Sequence, residues 1–377
     1  MMQKCLFQLF NQQIFSLSMK CMQDILKNYL SREELKESLK NETFKRRTLS
    51  FYRYVSILKP NEFRDHLFRK WFALNCFGRV YIANEGINAQ MSVPEYQLEN
   101  FLAELNSVPQ LIDVPVKYAI EDNGKSFYKL TIKVRDKIVA DGLPDNEYDF
   151  SKVGKHLSAV EFHKAIDEPD TLIIDMRNHY ESEVGRFKKA WCPDADTFKD
   201  AIQLVMNEFS EQKDKKILLY CTGGIRCEKA SSFLLHNGFS DVSQLYGGII
   251  EYAQQIKKLD ITSKFIGKNF VFDDRLGESV DGQIISHCHQ CGEPADMHNN
   301  CANNDCHLLF IQCSKCASTY EGCCSSDCRE INKLPIEVRK SYRSVNKQKY
   351  EGSKIFNRRR QYGILKADQV VAMHSGS

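Results

Sequence analysis

One strand–loop–helix segment constrains the fold of this 377-residue chain more than any other. It runs Ile217-Leu-Leu-Tyr-Cys221-Thr-Gly-Gly-Ile-Arg-Cys227-Glu-Lys229, so that an apolar run ends, a glycine-containing loop starts at a cysteine, and a helical pattern comes next. A short apolar run is typical of a strand in a parallel sheet that helices cover on both faces. The segment therefore places Cys221 at the carboxyl end of a parallel strand, where open α/β sheets form their sites.

Short apolar strands alternate with helices on both sides of this segment, which predicts a parallel-sheet α/β domain over residues 156–261. A polar connector is expected after it. The predicted strands are Thr171–Asp175, Lys216–Tyr220 and Asp241–Leu245, and the predicted helices are Ser158–Ile166, Thr197–Phe209, Glu228–His236 and Gly248–Lys258.

A second domain is predicted over residues 48–136, with the order β-α-β-β-α-β and one added strand. This order is that of ferredoxin-like or acylphosphatase-like α+β domains, which bind RNA through the sheet or serve as scaffold. Residues 1–47 are expected to form a helical lead-in, and residues 137–155 a linker. The predicted strands are Phe51–Ile57, Arg79–Ala83, Ile87–Val93, Val116–Ile120 and Tyr128–Val134, and the predicted helices are Asn61–Asn75 and Glu95–Leu105.

The loop at Cys221 has the composition of a site that activates a thiol. Gly223 and Gly224 allow the loop to curl so that backbone N–H groups point at one sulfur, while Arg226 and the helix N-terminus add positive potential. Both effects favour the thiolate, and such a cradle can also hold a persulfide or an oxyanion. The alternative is an inert buried thiol. Cys227, in the first helical turn, is either a resolving partner with a lowered pKa or a small packing residue.

A cysteine cluster at residues 284–328 holds nine of the 15 cysteines. Cys288-His-Gln-Cys291 and Cys313-Ser-Lys-Cys316 are two knuckles separated by 21 residues, close to the spacing of a four-thiolate structural zinc site. Because so short a segment lacks a core of its own, a structural metal is favoured; disulfides, a redox store or an iron–sulfur cluster are the alternatives. The remaining cysteines could bind a second zinc in a pairing that the sequence does not determine: Cys301, Cys306, Cys323, Cys324 and Cys328.

Positive charge is concentrated near the C-terminus. Residues 329–366 contain twelve Lys or Arg and three Glu, a net charge of +9, whereas the rest of the chain carries −6. A basic tail over residues 329–377 indicates nucleic-acid binding, with a solvated disordered tail as the alternative. The sequence has no convincing signal peptide and no apolar run of roughly 18 to 20 residues. We therefore expect a cytoplasmic protein with no membrane partner.

Several long motifs resemble known families. Cys-x-x-Gly-x-Arg at Cys221 and the strand Ile174-Asp-Met-Arg177 resemble the active-site loop and the signature strand of rhodaneses. Four motifs together resemble the rhodanese-like tRNA uridine hydroxylase family, over residues 45–360. They are Arg79-Val-Tyr-Ile-Ala-Asn-Glu-Gly-Ile-Asn-Ala-Gln90, Met176-Arg-Asn-His-Tyr-Glu181, Cys221-Thr-Gly-Gly-Ile-Arg-Cys-Glu-Lys229 and His287-Cys-His-Gln-Cys-Gly292.

The resemblance implies that the wobble uridine of tRNA is hydroxylated to 5-hydroxyuridine, with molecular oxygen as co-substrate. It implies tRNA rather than DNA as the partner, and Cys221 as the active-site cysteine. Arg226 and Cys227 complete the predicted catalytic set because of their places in the loop. Substrate binding is expected from the loop and the signature strand, at Thr222, Gly223, Gly224, Ile225, Asp175 and Arg177.

Two other functions fit the same residues. A sulfurtransferase would carry persulfide sulfur on Cys221, and a non-catalytic RNA-binding protein would use the rhodanese fold as scaffold. The sequence has no Gly-x-Gly-x-x-Gly motif and identifies neither an electron donor nor an oligomeric state. His179 and Glu181 have the spacing of part of a non-haem iron triad, but a structural His179 is the favoured interpretation.

Overall fold

The computed structural model describes residues 31–124, 126–144, 149–339 and 354–357. The chain divides into two compact units, Met1–Val139 and Ala140–Ser377. Most of the predicted helical lead-in lies outside the described residues. Its described part contains helix α1 (Arg32–Lys40), which begins with a capping box in which Ser31 and Glu34 bond each other's backbone N–H groups.

The first unit contains a five-stranded sheet in the order β4-β1-β3-β2-β5. Neighbouring strands are antiparallel except β2 and β5, which are parallel. This is the predicted acylphosphatase-like arrangement, with β5 as the added strand. The elements are β1 (Arg46–Tyr54), α2 (Pro60–Ala73), β2 (Phe77–Ala83), β3 (Gly86–Pro94), α3 (Leu98–Ser107), β4 (Lys117–Tyr118) and β5 (Leu130–Val134).

Helices α2 and α3 pack on the apolar face of the sheet. The rings of Trp71 in α2 and Phe101 in α3 lie 5.7 Å apart, and Phe51 of β1 is 6.1 Å from Trp71. Strand β1 starts at Arg46, five residues before the predicted start. The first residues of β1 do not show the alternation of apolar and polar side chains that predicts a strand, because the charged Arg46 occupies a buried position. Its guanidinium lies 3.8 Å from the centre of the Phe77 ring.

The second unit contains the predicted parallel sheet, with four strands in the order β6-β10-β9-β7. In its register Asp175 lies beside Tyr220, so the carboxyl ends of β7 and β9 meet next to Cys221. The elements are β6 (Lys155–Leu157), α4 (Ala159–Ala165), β7 (Leu172–Asp175), α5 (His179–Val184), β8 (Gly185–Phe187), α6 (Phe198–Phe209), β9 (Lys216–Tyr220), α7 (Ile225–His236), β10 (Asp241–Leu245), α8 (Gly248–Lys258), β11 (Phe265–Asn269) and β12 (Glu278–Ser279).

Several elements of this unit differ from the sequence-based expectations. Strands β6 and β8 and helix α5 were not predicted, because elements of three to six residues are too short to show periodicity. The connector after residue 261 is not merely polar, since β11 pairs with β8 and β12 in a separate antiparallel sheet. Helix α7 begins at Ile225 rather than Glu228, because Gly224 caps it in a left-handed conformation.

The cysteine-rich segment forms two small cores, each around one group of cysteines. Its elements are β13 (His298–Asn300), β14 (Leu309–Ile311), α9 (Ser314–Thr319) and α10 (Ser326–Lys333). The first core also takes in Tyr180 and Val184, so α5 packs against this segment as well as against the parallel-sheet domain. Within the described ranges, no helix has the length and apolar character needed to cross a membrane.

Candidate active site

The loop after β9 surrounds the sulfur of Cys221. The Gly224 N–H donates a hydrogen bond to Cys221 Sγ at 3.1 Å, and the φ angle of Gly224 is 99°. On the other side, the Ile249 N–H donates to the Cys221 carbonyl at 3.0 Å. A Cβ atom on Gly248 would lie only 2.6 Å from that carbonyl oxygen, so α8 approaches the loop closely. The loop is therefore fixed between the starts of α7 and α8.

The surroundings of Cys221 stabilise its thiolate although the residue is fully buried. Burial acts to raise its pKa, but a hydrogen bond from Cys227, the charge of Arg226 and the N–H groups of Arg226 and Gly224 lower the pKa of Cys221 to about 6. The nucleophilic thiolate therefore predominates at neutral pH. For Cys76 burial outweighs the charge of Arg46 and raises the pKa to about 12.

Cys227 donates a hydrogen bond to Cys221. Its pKa is raised well above the ordinary value, first by burial and then by its hydrogen bond and charge interaction with Cys221. The raised pKa argues against the alternative of a resolving partner with a lowered pKa, because burial and the neighbouring thiolate both disfavour a second charge. Cys227 keeps its proton and shares it with the neighbouring sulfur.

Arg226 is held at the loop by Glu181 of α5. The two side chains form two parallel hydrogen bonds, from Nη1 to Oε1 at 2.6 Å and from Nη2 to Oε2 at 2.9 Å. Thr222 Oγ1 donates to Glu181 Oε2 at 3.3 Å, and the Asn178 N–H donates to Oε1 at 3.1 Å. Glu181 is fully buried; burial raises its pKa, but the charge and hydrogen bonds of Arg226 outweigh it and lower the pKa. The sequence did not single out Glu181 for this role.

His179 and Glu181 do not converge on a common point. His179 Nδ1 lies 2.9 Å from Asp196 Oδ1, and its Nε2 lies 3.2 Å from the carbonyl oxygen of Phe356. Glu181 is engaged with Arg226. This arrangement favours the structural interpretation of His179 over an iron triad.

Asp175 and Arg177 lie beneath the loop and pair with each other. Arg177 Nη2 is 2.7 Å from Asp175 Oδ2 and also donates to the Gly185 carbonyl at 2.6 Å. The Tyr220 hydroxyl donates to the same Asp175 oxygen at 2.8 Å. Both charged residues are fully buried and paired with each other, which favours a positioning role over the expected binding role. They tie β7 to the strand that ends at Cys221.

The outer side of the loop is accessible. Thr222, Gly223 and Ile225 are each partly exposed. A Cβ atom added to Gly223 would meet no atom within 4 Å, so there is open space over the centre of the loop. Of the predicted binding residues, these three face the side from which a substrate would approach.

Eight cysteines of the second unit come together in two groups of four, in which all sulfur atoms lie within 4.8 Å of one another. The first group is the predicted double knuckle, Cys288, Cys291, Cys313 and Cys316, and the second is Cys301, Cys306, Cys324 and Cys328. Cys323 is not part of either group, although it was one of the candidates. All cysteines that the structure describes are free thiols.

The sulfur–sulfur distances suit a tetrahedral metal site. Cys291 and Cys313 are 3.6 Å apart, Cys306 and Cys324 3.7 Å, and Cys324 and Cys328 3.6 Å. A tetrahedron with metal–sulfur bonds of about 2.3 Å has edges of about 3.8 Å, whereas a disulfide needs about 2.05 Å. Both groups could therefore hold a metal ion.

The basic tail is described only in part, since residues 340–353 and 358–377 lie outside the described residues. Residues 354–357 contact both the cysteine-rich segment and the loops of the parallel-sheet domain. The Phe356 ring stacks on His289 at 4.2 Å, and Asn357 Nδ2 donates to Asp194 Oδ1 at 2.6 Å.

Comparison with known proteins gives matches along most of the chain. Residues 46–138 match the family model described as UPF0176 acylphosphatase like domain, residues 158–255 the Rhodanese-like domain, and residues 266–329 the Rhodanase C-terminal. Relatives named tRNA uridine(34) hydroxylase from Photorhabdus laumondii and Cronobacter sakazakii are 50% identical over 337 residues, which is 89% of this chain and 95% and 96% of theirs. One from Yersinia pestis is 49% identical over 344 residues, 91% of this chain and 96% of its own.

Proposed function

The chain belongs to the tRNA uridine(34) hydroxylase family, and on that premise we propose that it is an oxidoreductase that hydroxylates the wobble uridine of tRNA to 5-hydroxyuridine. Molecular oxygen is the co-substrate in this proposal: one oxygen atom enters at C5, and a separate two-electron reductant converts the other to water. The supporting observation at the site is the Cys221 thiolate, which the loop and Arg226 stabilise at neutral pH. A sulfurtransferase would use the same thiolate, but the relatives do not favour that function.

Cys221 is proposed to act as a nucleophile toward the uracil ring. A thiolate can add to C6, forming an S–C6 bond while the C5–C6 π electrons move onto C5 and the conjugated carbonyl. This raises the electron density at C5, the carbon that receives the hydroxyl group. The hydrogen on C5 then leaves as a proton and the S–C6 bond breaks, which restores the C5–C6 double bond and releases Cys221 as the thiolate. In this proposal Arg226 and the Gly224 N–H hold the thiolate charge before the addition, and Cys227 supplies one further hydrogen bond.

The other loop residues are proposed to differ in role. Thr222, Gly223 and Ile225 would contact the nucleotide from the accessible side of the loop. Asp175 and Arg177 would position the strand end, through their ion pair and their bonds to the Tyr220 hydroxyl and the Gly185 carbonyl.

We propose structural zinc for both cysteine groups. Four thiolates around one point are the ligands that structural zinc prefers, and the 3.6–3.7 Å sulfur contacts fit its tetrahedron. The backbone N–H of Cys316 donates to Cys313 Sγ and that of Cys324 to Cys301 Sγ, each at 3.4 Å, which helps to stabilise charged sulfur. Zinc would supply cross-links to a segment whose own apolar cores are small.

Electrostatic binding of tRNA is assigned to the basic tail, which carries a net charge of +9 over residues 329–366. The cytoplasm is the proposed location, because it contains tRNA and keeps thiols reduced.

The function can be tested by nucleoside analysis of tRNA. Cells without the native gene should regain 5-hydroxyuridine with the wild-type chain and with Cys76→Ser, but not with Cys221→Ser. Cys76 is the matched control because it is equally buried and its pKa is raised. Melting temperatures of the purified variants establish that each is folded. Full modification by Cys221→Ser would refute the proposal, and thiosulfate turnover without any change in tRNA would favour the sulfurtransferase.

A further inference from the structure

Two exposed aromatic side chains flank the loop at Cys221. Within the described part of the second unit, Tyr246 and Phe272 are the two aromatic residues among the exposed large hydrophobic side chains, at 44% and 42% exposure. Single exposed apolar residues are common on protein surfaces and need no explanation. Here, however, both of the exposed rings lie at the same loop.

Tyr246 lies on the β10 side of the loop. Gln244 of β10 is paired with Leu219 of β9, and continuing this parallel register by two residues places Tyr246 beside Cys221. The Tyr246 N–H donates to the Leu157 carbonyl at 2.8 Å, which fixes its backbone at the end of the sheet.

Phe272 lies on the opposite side, near α5. The guanidinium carbon of Arg226 is 5.9 Å from the centre of its ring, within the range of a cation–π contact. The buried Phe270 meets the same ring edge-on at 5.2 Å. Phe272 is thus held in place by two neighbours and still presents a large apolar area to solvent.

We infer that Tyr246 and Phe272 hold the unstacked uracil base of the substrate by ring stacking over the loop. This rests on the proposed function. Proteins that bind single-stranded RNA commonly stack extruded bases on aromatic or guanidinium planes, and every base has a face suited to this. A Cβ atom added to Gly223 would meet nothing within 4 Å, so the loop that carries Cys221 has room for a base beside it.

The inference predicts a loss of substrate affinity when a ring is removed. Phe272→Ala and Phe272→Leu should each raise the KM for an anticodon stem–loop RNA by about tenfold, with a smaller change in kcat. Phe272→Trp should give a KM close to that of wild type, because stacking requires only a flat aromatic face. Tyr246→Ala should act like Phe272→Ala, and Tyr246→Phe should give a KM much closer to the wild-type value, because it keeps the ring. Phe72→Ala, at a site 52% exposed in the first unit, is the control.

A second measurement separates stacking from an effect on Arg226. The pH dependence of Cys221 alkylation should be the same in wild type and Phe272→Leu. If the alkylation midpoint moves in proportion to the loss of activity, Phe272 acts through Arg226 and the inference is wrong. An unchanged KM in both Phe272→Ala and Tyr246→Ala would also overturn it.

Cross-linking tests the inference without requiring turnover. A stem–loop RNA with 5-bromouridine at the wobble position should cross-link under ultraviolet light to Tyr246 or Phe272. Cross-links to other residues only would contradict the inference. If wild type produces no 5-hydroxyuridine but still cross-links at these rings, the proposed reaction fails while the base-binding site stands.

Discussion

Replacing Cys227 by alanine should make Cys221 a weaker acid while leaving the loop in place. The Cys227 hydrogen bond is the largest of the interactions that lower the Cys221 pKa to about 6, and alanine cannot supply it. Loss of one such bond is expected to raise the pKa by about one unit. The thiolate fraction at pH 6 would then fall from about one half to about one eleventh, a decrease of roughly fivefold, whereas at pH 9 both proteins would be almost fully ionised.

The assay is the rate of carboxamidomethylation at the single peptide that contains Cys221. Trypsin cuts after Lys216 and Arg226, so the peptide Ile217–Arg226 carries Cys221 alone, and Cys227 falls on the next peptide. Mass spectrometry of timed samples between pH 5 and pH 9 gives the rate at each pH. Since only the thiolate reacts, the rate rises as pH rises through the folded-state pKa, and its midpoint measures that pKa.

Cys227→Ser is the matched variant, because its hydroxyl can still donate to Cys221. Its midpoint should lie between those of wild type and Cys227→Ala. Equal midpoints for all three proteins would refute the view that Cys227 is a proton donor. A fivefold loss for Cys227→Ala at every pH would instead indicate that the loop had moved.

Three further predictions concern the metal groups, the buried ion pair and the tail. Protein purified without chelators should contain two zinc ions per chain by elemental analysis. The Cys324→Ser variant should lose one zinc ion and Cys323→Ser none. Loss of the same amount of zinc in both variants would contradict the assignment of Cys324, and not Cys323, to a group of four. Asp175→Asn leaves Arg177 without its buried carboxylate and should lower the free energy of unfolding by about 3 kcal/mol in urea titration; a change near zero would show that the pair is dispensable. If all three arginines contact phosphates, replacing Arg358–Arg360 by alanine should reduce the slope of log affinity for tRNA against log salt concentration by roughly two to three. An unchanged slope would favour a tail that only increases solubility.

The central parallel strands could be predicted closely because their sequences are unambiguous. The sequence-based prediction and the structure agree on the bounds of two strands, Lys216–Tyr220 and Asp241–Leu245, and of the helix Gly248–Lys258. In Lys216–Tyr220 an apolar run follows a lysine, so that burial on both faces is evident from composition, whereas Asp241–Leu245 is marked by its position between two helical segments. The position of the thiol loop could be predicted from the same pattern, because the end of a buried strand fixes where Cys221 must lie.

The partner of Arg226 could not be predicted in the same way. Glu181 is 45 residues away in sequence and reaches Arg226 only because α5 folds across the end of the sheet. A local signal was available, since Asn178 and Glu181 have the spacing of a helix start in which the third residue bonds back to the cap. That spacing indicates a helix, but it does not reveal which residue the carboxylate will meet.

The pairing of cysteines shows a similar limit. Cys323 and Cys324 are neighbours with the same chemistry, and only the second joins a group of four. Both side chains are buried, so burial does not distinguish the ligand from its neighbour. Spacing within a knuckle is readable because two ligands share one tight turn, whereas the pairing of isolated ligands depends on the tertiary fold.

Helix α5 affects how this protein could be divided or rearranged in evolution. One side of its six residues supplies Glu181 to the reactive loop, while Tyr180 and Val184 belong to the core around Cys288 and Cys316. A chain shortened after α8 would keep every strand of the parallel sheet, yet one face of α5 would lose its packing. The cysteine-rich segment therefore cannot be removed without affecting the sheet domain. If recombination exchanged only the sheet domain, the contact between Glu181 and Arg226 at its loop would depend on the cysteine-rich segment of the protein that received it.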